Sequence, residues 1–398
     1  MRILYIHQYF HTPLEPGSTR SYWISRELIK NGHQVIVITS NPKITHNKEV
    51  KEIDGIKVIY LKTAYNQSMS ISQRLIAFIG FVWKSTAIAI KQKNIDIVFA
   101  TSTPLTIGIP ALLLKWFKHI PYIFEVRDLW PEVPIQMGAI KNKLIIKISR
   151  FFEKTIYKNA SHVIALSPGM QDGVIKYISK KHTSMIPNMA KIDEFGERRK
   201  NIKIVEKHKL KPNSFKVIHF GSLGLANGAE TIIDSARILK EDPTIDFLFV
   251  GGGSTENKLK EDSIKYNLTN VFFLGKFPMK ETSEIVNISD VSIISFKDLP
   301  ILYTNSPNKF FDSLSAGKPI IVNSAGWTKD IVEQHNCGYY VNPNNPQELV
   351  GKIKYLQTNP QIAAEMGVNS RKLAETEYDK SILLKKIVAV FNDIYKKD

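Results

Sequence analysis

Residues 215–239 read FKVIHFGSLGLANGAETIIDSARIL. An apolar strand pattern stops at a glycine-rich turn and continues as a helix pattern. Gly221, Gly224 and Gly228 let the backbone of this turn approach a ligand closely, and the unpaired N–H groups at the start of the helix favour an anion. The stretch therefore predicts a phosphate-binding turn between a strand and a helix of a wound α/β sheet.

The same alternation of strand and helix patterns fills the chain in two series. The first series predicts the strands Ile3–Ile6, Val35–Thr39, Lys57–Leu61, Ile97–Ala100, Tyr122–Val126 and Val163–Leu166. The second predicts Phe215–Phe220, Phe247–Val250, Val271–Leu274, Val291–Ser295, Pro319–Asn323 and Tyr339–Val341. Such alternation is typical of parallel sheets with helices on both faces. We therefore predict an α/β protein with two Rossmann-like domains that face each other across a cleft.

Composition shifts give the predicted domain boundaries. The first domain covers residues 1–190, a polar and charge-rich linker covers 191–213, and the second domain covers 214–373. Residues 374–398 form a final helical segment that we expect to cross back to the first domain. In the first domain the helical patterns cover Thr19–Asn31, Ser72–Lys91, Pro110–Lys118 and Asn142–Asn159.

Length and composition limit the classes of protein to consider. The 398 residues, 43% of them apolar, suffice for two globular domains. The single Cys337 excludes a disulfide framework and a multi-cysteine metal site. The strand-like start Met1–Ile6 predicts no export signal, and the apolar run Leu75–Trp83 is short of the roughly 20 residues that span a bilayer. We therefore expect a cytoplasmic protein.

The positive charge is concentrated in one half of the chain. Residues 1–200 carry 29 basic and 14 acidic side chains, and residues 201–398 carry 25 and 23. The first half is therefore expected to meet an anionic partner, either a membrane surface or nucleic acid. The pattern of Asn142–Asn159 predicts an amphipathic helix that packs its apolar side on the sheet. The apolar side consists of Leu144, Ile148, Phe151, Phe152 and Ile156. The outward basic stripe of the helix consists of Lys143, Lys147, Arg150, Lys154 and Lys158.

Two polar segments offer candidate chemistry. Ser306–Pro319 enters a helix, where Lys309 would neutralise a diphosphate and Asp312 would accept hydrogen bonds from ribose hydroxyls; the alternative is a capped surface helix with solvated charges. Glu125–Glu132 ends a strand, where Asp128 would orient or deprotonate a hydroxyl. Arg127 would pair with a phosphate or hold Asp128, and the alternative is a structural Arg–Asp pair.

Several familiar motifs are missing from the sequence. The turn spacing G-x-x-G-x-x-x-G differs from the dinucleotide pattern G-x-G-x-x-G, which disfavours nicotinamide binding. The chain has no Asp-x-Asp pair, no H-E-x-x-H and no G-x-S-x-G. Metal-dependent phosphosugar chemistry and serine hydrolysis therefore lose their usual markers.

Together these motifs resemble those of the family 4 glycosyltransferases, which have the GT-B fold. The resemblance covers essentially the whole chain and includes the Gly17 loop, Gly32-His33, Glu125–Glu132, Ile186-Pro187-Asn188 and Ser306–Pro319. Within the family, the sequence resembles the bacterial O-antigen and capsule subgroup that includes N-acetylfucosamine transferases. This resemblance implies a retaining transfer from a UDP-sugar without an essential metal or other cofactor.

Three positions depart from the family pattern. Ser222 and Asn227 stand where many members have an arginine and a lysine on the glycine-rich turn, so Lys309 would carry that charge instead. Thr304 and Asp312 stand where the family has two glutamates, which leaves one ribose-binding acid. Arg127 stands where a histidine is often found, which leaves the acid/base assignment open.

The resemblance assigns a set of site residues. We predict that the catalytic residues are Asp128, Arg127 and Lys309. We predict that the nucleotide-sugar is bound by Gly221, Ser222, Leu223, Asn227, Gly251, Gly252, Gly253, Lys276, Phe277, Pro278, Ser306, Asn308, Lys309 and Asp312. We predict that the acceptor is bound by Gly17, Ser18, Arg20, Glu125 and Trp130, and that no metal is bound.

The predicted partners follow from the same resemblance and from the charge. They are a nucleotide-sugar donor, a lipid-diphosphate-linked saccharide acceptor and, through the basic half, the inner face of the cell membrane. Two alternatives are a UDP-sugar 2-epimerase of the same fold and a basic nucleic-acid-binding module. We do not expect a nucleic-acid partner, because aromatic residues do not interleave with the basic stripe.

Overall fold

The computed structural model describes residues 1–63, 69, 71–196 and 200–396. The chain divides into two α/β units. The first contains residues 1–11, 18–187 and the segment from Ser381 onwards, and the second contains residues 12–17 and 188–380. Two sheets of mainly parallel strands confirm the predicted fold class.

The first unit is built on a sheet of eight strands among the described residues. They are β1 Arg2–Ile6, β2 Gln34–Ser40, β3 Lys48–Ile53, β4 Ile56–Leu61, β5 Ile97–Thr101, β6 Tyr122–Val126, β7 His162–Ala165 and β8 Thr183–Met185. Their order is β3-β4-β2-β1-β5-β6-β7-β8, and β3 alone pairs antiparallel, with β4. The central strands are buried on both faces, as expected of a parallel sheet covered by helices.

The helices of the first unit lie on both faces of this sheet. They are α1 Arg20–Lys30, α2 Ile71–Lys91, α3 Gly108–Lys118, α4 Glu132–Gln136, α5 Lys143–Asn159 and α6 Pro168–Ile175. The crossovers through α2, α3 and α5 advance in the same direction along the sheet, and the crossover through α1 goes the other way. Because such crossovers are right-handed, α2, α3 and α5 share one face, opposite α1.

The sequence patterns missed β3 and β8, which lie at the two edges of the sheet. Most side chains of β3 face solvent, and four of its six residues are the charged Lys48, Glu49, Lys51 and Glu52. An exposed edge strand lacks the apolar run that marks a buried one, so its sequence resembles a loop.

Helix α5 forms as predicted, but only part of its predicted apolar side is buried. The structure exposes Leu144, Ile148 and Phe151, and it buries Ile156 and Tyr157 near the other end of the helix. The prediction that the apolar stripe packs on the sheet was therefore wrong for the first half of α5. In the second half, Tyr157 packs against Phe124 of β6 with 6.0 Å between ring centroids.

The second unit has a six-stranded parallel sheet in the described part of the chain. Its strands are β9 Phe215–Ser222, β10 Ile245–Gly252, β11 Val271–Gly275, β12 Val291–Ile294, β13 Ile320–Val322 and β14 Gly338–Tyr340, in the order β11-β10-β9-β12-β13-β14. Its helices are α7 Ile202–Lys207, α8 Glu230–Ile238, α9 Glu256–Lys265, α10 Met279–Ile288, α11 Asn308–Ser315, α12 Trp327–Gln334, α13 Pro346–Thr358 and α14 Pro360–Leu373. The central position of β9 places the glycine-rich turn in the middle of one sheet edge, where open α/β sheets bind ligands.

The predicted linker is largely packed structure. Phe195, Val205 and Leu210 belong to a buried cluster that includes Ile218 and Phe220 of β9, and α7 lies within the segment. Residues 197–199 of the predicted linker are outside the described residues. These apolar contacts make the described residues of 191–213 a component of the second unit.

The last helix, α15 Lys380–Tyr395, follows an irregular helical turn at Ala374–Tyr378. From Ser381 onwards it belongs to the first unit, where Phe391 packs edge-on against Phe99 of β5 with 5.3 Å between ring centroids. No helix in the described parts of the chain is both long enough and apolar enough to cross a bilayer.

Candidate functional site

The glycine-rich turn after β9 has the backbone geometry that its sequence predicts. Gly221 and Gly228 have positive φ angles of 102° and 54°, which favour glycine. A Cβ on Gly228 would lie 2.9 Å from the backbone nitrogen of Lys297, so a larger residue does not fit there. Ser222 is exposed at the end of β9. Asn227 is buried in the turn, and its Oδ1 accepts no hydrogen bond from the described residues.

Gly251 and Gly252 at the end of β10, together with Gly253 after it, pack directly against this turn. A Cβ on Gly251 would lie 1.8 Å from the carbonyl oxygen of Gly221, and one on Gly253 would lie 2.4 Å from that of Leu223. The backbone N–H of Leu223 donates to the carbonyl of Gly252 at 3.1 Å. The glycine triple is therefore needed for the contact between two loops, and its contact with a ligand stays a prediction.

Lys309 lies under the glycine-rich turn. Its side chain comes from the first turn of α11, and its Cε would be 3.6 Å from a Cβ on Gly221. The residue is buried, and Nζ lies 3.2 Å from Nε2 of His219. Among the described residues no carboxylate forms an ion pair with it. Burial lowers the pKa of the Lys309 amine to about 7, so an anion in the turn would gain a cation without displacing a carboxylate.

His219 was not predicted, although it contacts the predicted lysine. It is buried in β9, two residues before Gly221, and Nδ1 lies 3.5 Å from the hydroxyl of Ser295. Burial, and then the charge of Lys309, hold the pKa of His219 well below its usual range. The neutral ring therefore accepts a hydrogen bond from Lys309. A histidine inside an otherwise apolar strand was the available sequence signal.

The entrance to α11 is fixed by residues of the Ile186-Pro187-Asn188 motif and the segment after it. The backbone N–H of Asn188 donates to Ser306 Oγ at 3.2 Å, and its side-chain amide donates to the carbonyl of Ser306. Lys191 forms a buried ion pair with Asp312. Burial raises the pKa of Asp312, and Lys191 opposes this rise. Asn308 begins α11. A hydrogen bond from a ribose hydroxyl to Asp312 stays a prediction.

Lys276, Phe277 and Pro278 follow β11 and differ in exposure. Lys276 is exposed, and its stem passes over Gly252, since a Cβ there would lie 2.5 Å from Lys276 Cε. Phe277 packs edge-on against His208 with 5.4 Å between ring centroids. Pro278 precedes the first residue of α10. Of the three, only the Lys276 amine is an exposed charge.

In the first unit, Arg127 and Asp128 lie at the end of β6. Arg127 Nη2 donates to the hydroxyl of Ser18 at 3.2 Å, and Nη1 lies 3.4 Å from Nε2 of the buried His7. The hydroxyl of Thr103 donates to Asp128 Oδ2 at 2.7 Å. Burial raises the pKa of Asp128, against the opposing effects of Thr103 and Arg127. Within the described residues Arg127 and Asp128 do not form an ion pair, so each keeps separate partners.

His7 is a second residue that the sequence patterns missed. Burial, and then the charge of Arg127, hold the pKa of His7 well below its usual range. It therefore stays neutral beside the guanidinium. Its only sequence signal was its position directly after β1, at the ligand-binding edge of the sheet.

Arg20 and Glu125 form a buried pair, and their contact with an acceptor stays a prediction. Arg20 Nε donates to Glu125 Oε1 at 2.9 Å, and its other nitrogens donate to the carbonyls of Ile186 and Pro187. Thr101 Oγ1 donates to Glu125 Oε2 at 3.1 Å. Both side chains are buried and contact each other, so the pair stabilises the packing of the first unit.

The remaining predicted acceptor residues keep some exposure. Gly17 is exposed with a φ of 145°, and Ser18 and Trp130 are partly buried. The hydroxyl of Ser18 contacts Arg127, as described above. Among the described residues there is no group of three or more histidine, cysteine, aspartate or glutamate side chains that could hold a metal ion.

The chain matches two family models that lie side by side. Residues 18–194 match the model of Glycosyltransferase Family 4, and residues 200–373 match that of Glycosyl transferases group 1. Both models describe transferases, which favours this class over the epimerase and the nucleic-acid-binding module.

Curated relatives are similar over most of their length. The probable glycosyltransferase WbjE of Pseudomonas aeruginosa is 20% identical over 333 residues, 81% of each chain. The putative colanic acid biosynthesis glycosyl transferase WcaI of Escherichia coli is 21% identical over 391 residues, 92% of this chain and 93% of WcaI.

Solved structures of low sequence identity share the fold. Sucrose-phosphate synthase from Thermosynechococcus elongatus superposes with a TM-score of 0.80, 17% identity and full coverage of both chains. Anabaena HepE, solved in complex with UDP and glucose, gives a TM-score of 0.71 and 18% identity, covering 99% of this chain and all of HepE. These similarities establish the GT-B fold.

Proposed function

The chain belongs to the group 1 and family 4 glycosyltransferases, and on that premise we propose that it transfers a sugar from a UDP-sugar to a lipid-diphosphate-linked saccharide. The observation that carries this proposal is the buried amine of Lys309 beneath the Gly221 turn. The turn and the start of α11 supply backbone N–H groups, and Lys309 supplies a cation. Together they suit the diphosphate of a nucleotide-sugar.

The proposed reaction breaks the bond between the anomeric carbon and the diphosphate oxygen and forms a bond to an acceptor oxygen. The proton of the acceptor hydroxyl passes to the departing phosphate on the same face of the sugar, so the anomeric configuration is retained. Lys309 would stabilise the charge that develops on the leaving diphosphate. Asp128, with its raised pKa, and Arg127 would orient the acceptor hydroxyl from the end of β6.

The names of similar proteins support a more specific substrate class. WcaI is named for colanic acid biosynthesis, and HepE was solved with UDP and glucose. We propose a role in bacterial capsule or O-antigen synthesis, with an N-acetylated hexosamine such as N-acetyl-L-fucosamine as the transferred sugar. No essential metal is proposed, and the enzyme would work at the inner face of the cell membrane, where a lipid-linked acceptor is held.

The first test is isothermal calorimetry with UDP, GDP and ADP, each with and without EDTA. UDP is expected to bind most tightly and to bind equally well in EDTA. Lys309→Met should weaken UDP binding at least tenfold, because it removes a buried charge-assisted contact. Lys258→Met changes an exposed lysine of α9 and serves as the matched control.

Three results would contradict parts of the proposal. Absence of binding by every nucleotide at about 1 mM would overturn the donor assignment. If Lys309→Met binds UDP as tightly as the unchanged protein does, Lys309 is not part of the donor site. Loss of binding in EDTA would overturn the metal-free proposal. Release of a 2-epimer from donor alone would instead favour the epimerase.

A further inference from the structure

Exposed apolar side chains are concentrated on one face of the first unit. Of the 21 large apolar side chains exposed among the described residues, ten lie on α2, α3 and α5. They are Ile76, Ile79, Trp83, Ile90, Trp116, Phe117, Leu144, Ile145, Ile148 and Phe151. Soluble proteins rarely gather such side chains on one surface unless a partner covers them. We call the exposed surface of these three helices the apolar-basic face.

Helix α2 is apolar on both its buried and its exposed side. Ile76, Ile79, Trp83 and Ile90 follow one another at intervals of three, four and seven residues, which places them on one side of the helix. Phe81 is buried on the opposite side. A surface helix of a globular protein normally presents polar residues outward. The outer stripe of α2 is therefore apolar where a surface helix is normally polar. Within this stripe Trp83 is 79% exposed.

Helix α5 combines an apolar stripe with a basic one. Leu144, Ile148 and Phe151 point away from the buried Ile156 and Tyr157. A lysine or arginine precedes each apolar residue by one position, which is about 100° around the helix. The basic stripe, Lys143, Lys147, Arg150 and Lys154, is exposed. An apolar stripe with cations alongside is the pattern of helices that lie in a membrane interface.

The three helices form a continuous surface. Helix α3 packs against both α2 and α5. The indole N–H of Trp116 donates to Asn159 Oδ1 at the end of α5, at 3.1 Å, and Lys118 donates to the carbonyl of Ile90 in α2. Phe117, between these two contacts, is 77% exposed. The exposed side chains of α3 thus lie between the stripes of its neighbours.

The charge of the apolar-basic face indicates which kind of partner it binds. The three helices contain ten lysine and arginine residues and one acidic residue, Glu153, which is buried. One of the ten is partly neutralised from outside the face, since Arg150 pairs with Glu132 of α4 at 2.7 Å. Two copies of the face would bring like charges together. A surface of phosphate headgroups complements both its cations and its apolar side chains.

We infer that the apolar-basic face binds an anionic phospholipid bilayer. Trp83, Phe117 and Phe151 enter the interface between headgroups and acyl chains, and the neighbouring lysines contact lipid phosphates. The inference deepens the proposed function and rests on it, because an enzyme with a lipid-linked acceptor works at a membrane. The apolar side chains add a contribution to membrane binding that salt does not screen. Binding therefore survives a salt concentration that would abolish a purely ionic contact.

Flotation of the full-length protein with lipid vesicles tests this inference. Vesicles of phosphatidylcholine, with and without phosphatidylglycerol, are compared at about 0.1 M and about 0.5 M NaCl. We expect binding to the anionic vesicles at both salt concentrations. The triple variant Trp83→Ser/Phe117→Ser/Phe151→Ser should lose at least tenfold in partitioning at high salt. Lys147→Gln and Lys154→Gln should each lose about fivefold at low salt.

The controls separate this inference from the proposed function. Ile264→Ser changes a side chain that is 76% exposed on α9 of the second unit, and it should bind vesicles like the unchanged protein. UDP binding by each variant, measured by calorimetry, reports the donor site independently. If the unchanged protein floats with the vesicles but does not bind UDP, the proposed function is overturned and the inference about the apolar-basic face stands.

Three outcomes would overturn the inference itself. The first is absence of flotation with anionic vesicles while UDP still binds. The second is equal flotation of the triple variant and the unchanged protein at high salt. The third is a dimer in analytical ultracentrifugation that the triple variant converts to a monomer, which would assign the face to a second copy of the chain.

Discussion

Two basic residues in the first turns of helices, Arg20 of α1 and Lys309 of α11, have different kinds of partner in this protein. Both follow a loop after a parallel strand, and both were predicted to contact a substrate. Arg20 is buried against a carboxylate and two carbonyl oxygens. Lys309 is buried against the ring of His219 and has no carboxylate partner among the described residues.

The difference shows how to separate a structural cation from a binding cation. A buried charge with a complete set of partners has no capacity left for a ligand. A buried amine without a counter-ion carries an uncompensated desolvation cost, which a bound anion removes. A buried amine without a counter-ion therefore contributes more to ligand binding than to the stability of the fold. The experiments below test the contrast from its largest expected effect to its smallest.

The largest effect is expected from breaking the structural pair. Arg20→Met leaves Glu125 buried without a cation, which should lower the free energy of unfolding by about 3–5 kcal/mol. Urea denaturation followed by circular dichroism measures the change. Lys30→Met, at an exposed position of the same helix, is the control and should stay within about 0.5 kcal/mol. A loss below about 1 kcal/mol for Arg20→Met would show that the pair is not a structural requirement.

The next effect separates function from stability at Lys309. Lys309→Met should lower kcat/KM for the nucleotide-sugar by about 100-fold or more, since it removes a cation at the leaving group. It should leave the melting temperature unchanged or raise it, because a buried amine becomes apolar. Thermal denaturation and initial-rate kinetics measure the two quantities. A large loss of stability with normal kcat/KM would assign Lys309 to the same class as Arg20.

The titration of Lys309 should make the affinity for UDP depend on pH. The expected effect is smaller than that of Lys309→Met on kcat/KM and larger than that of Lys276→Ala on UDP binding. The pKa of Lys309 is about 7 in the free protein because of burial, and a bound diphosphate should raise it. Affinity for UDP should therefore fall by about tenfold per pH unit above pH 7, and binding at pH 8 should take up about one proton. Calorimetry in two buffers of different ionisation enthalpy measures the uptake. Lys309→Met should show no such uptake; uptake that persists in this variant would point to another group.

The smallest effect is expected at Lys276, which is exposed beside the glycine loops. Lys276→Ala should weaken UDP binding by at most about fivefold, because water and salt screen an exposed charge. The effect should disappear at about 0.5 M salt. A loss as large as that of Lys309→Met would contradict the view that burial decides which lysine matters.

Much of the fold was predictable because apolar strands and helix-length segments alternate along the chain. The twelve predicted strands correspond to twelve of the fourteen strands that the described residues form. Sequence patterns failed where local composition does not determine exposure. Edge strand β3 resembles a loop, and the apolar stripe of α5 resembles a packed one although Leu144 and Phe151 are exposed.

The candidate site was predictable where its motif is local. The Gly221 turn and Lys309 are found from short segments, because turn geometry and a helix start depend on neighbouring residues. The pairing of Arg20 was not predictable, because its partner Glu125 is 105 residues away in the chain. The close packing of Gly251 on Gly221 was equally hidden, since glycine in a ligand loop and glycine in a loop contact look the same in a sequence.

Strand β3 has a consequence for the behaviour of the protein in concentrated solution. It forms one edge of the first sheet, and an edge strand offers unpaired backbone groups to any other chain in extended conformation. Its two lysine and two glutamate side chains, most of them exposed, oppose such pairing, because an approaching strand would have to desolvate several charges. This charged border protects the first sheet against edge-to-edge aggregation.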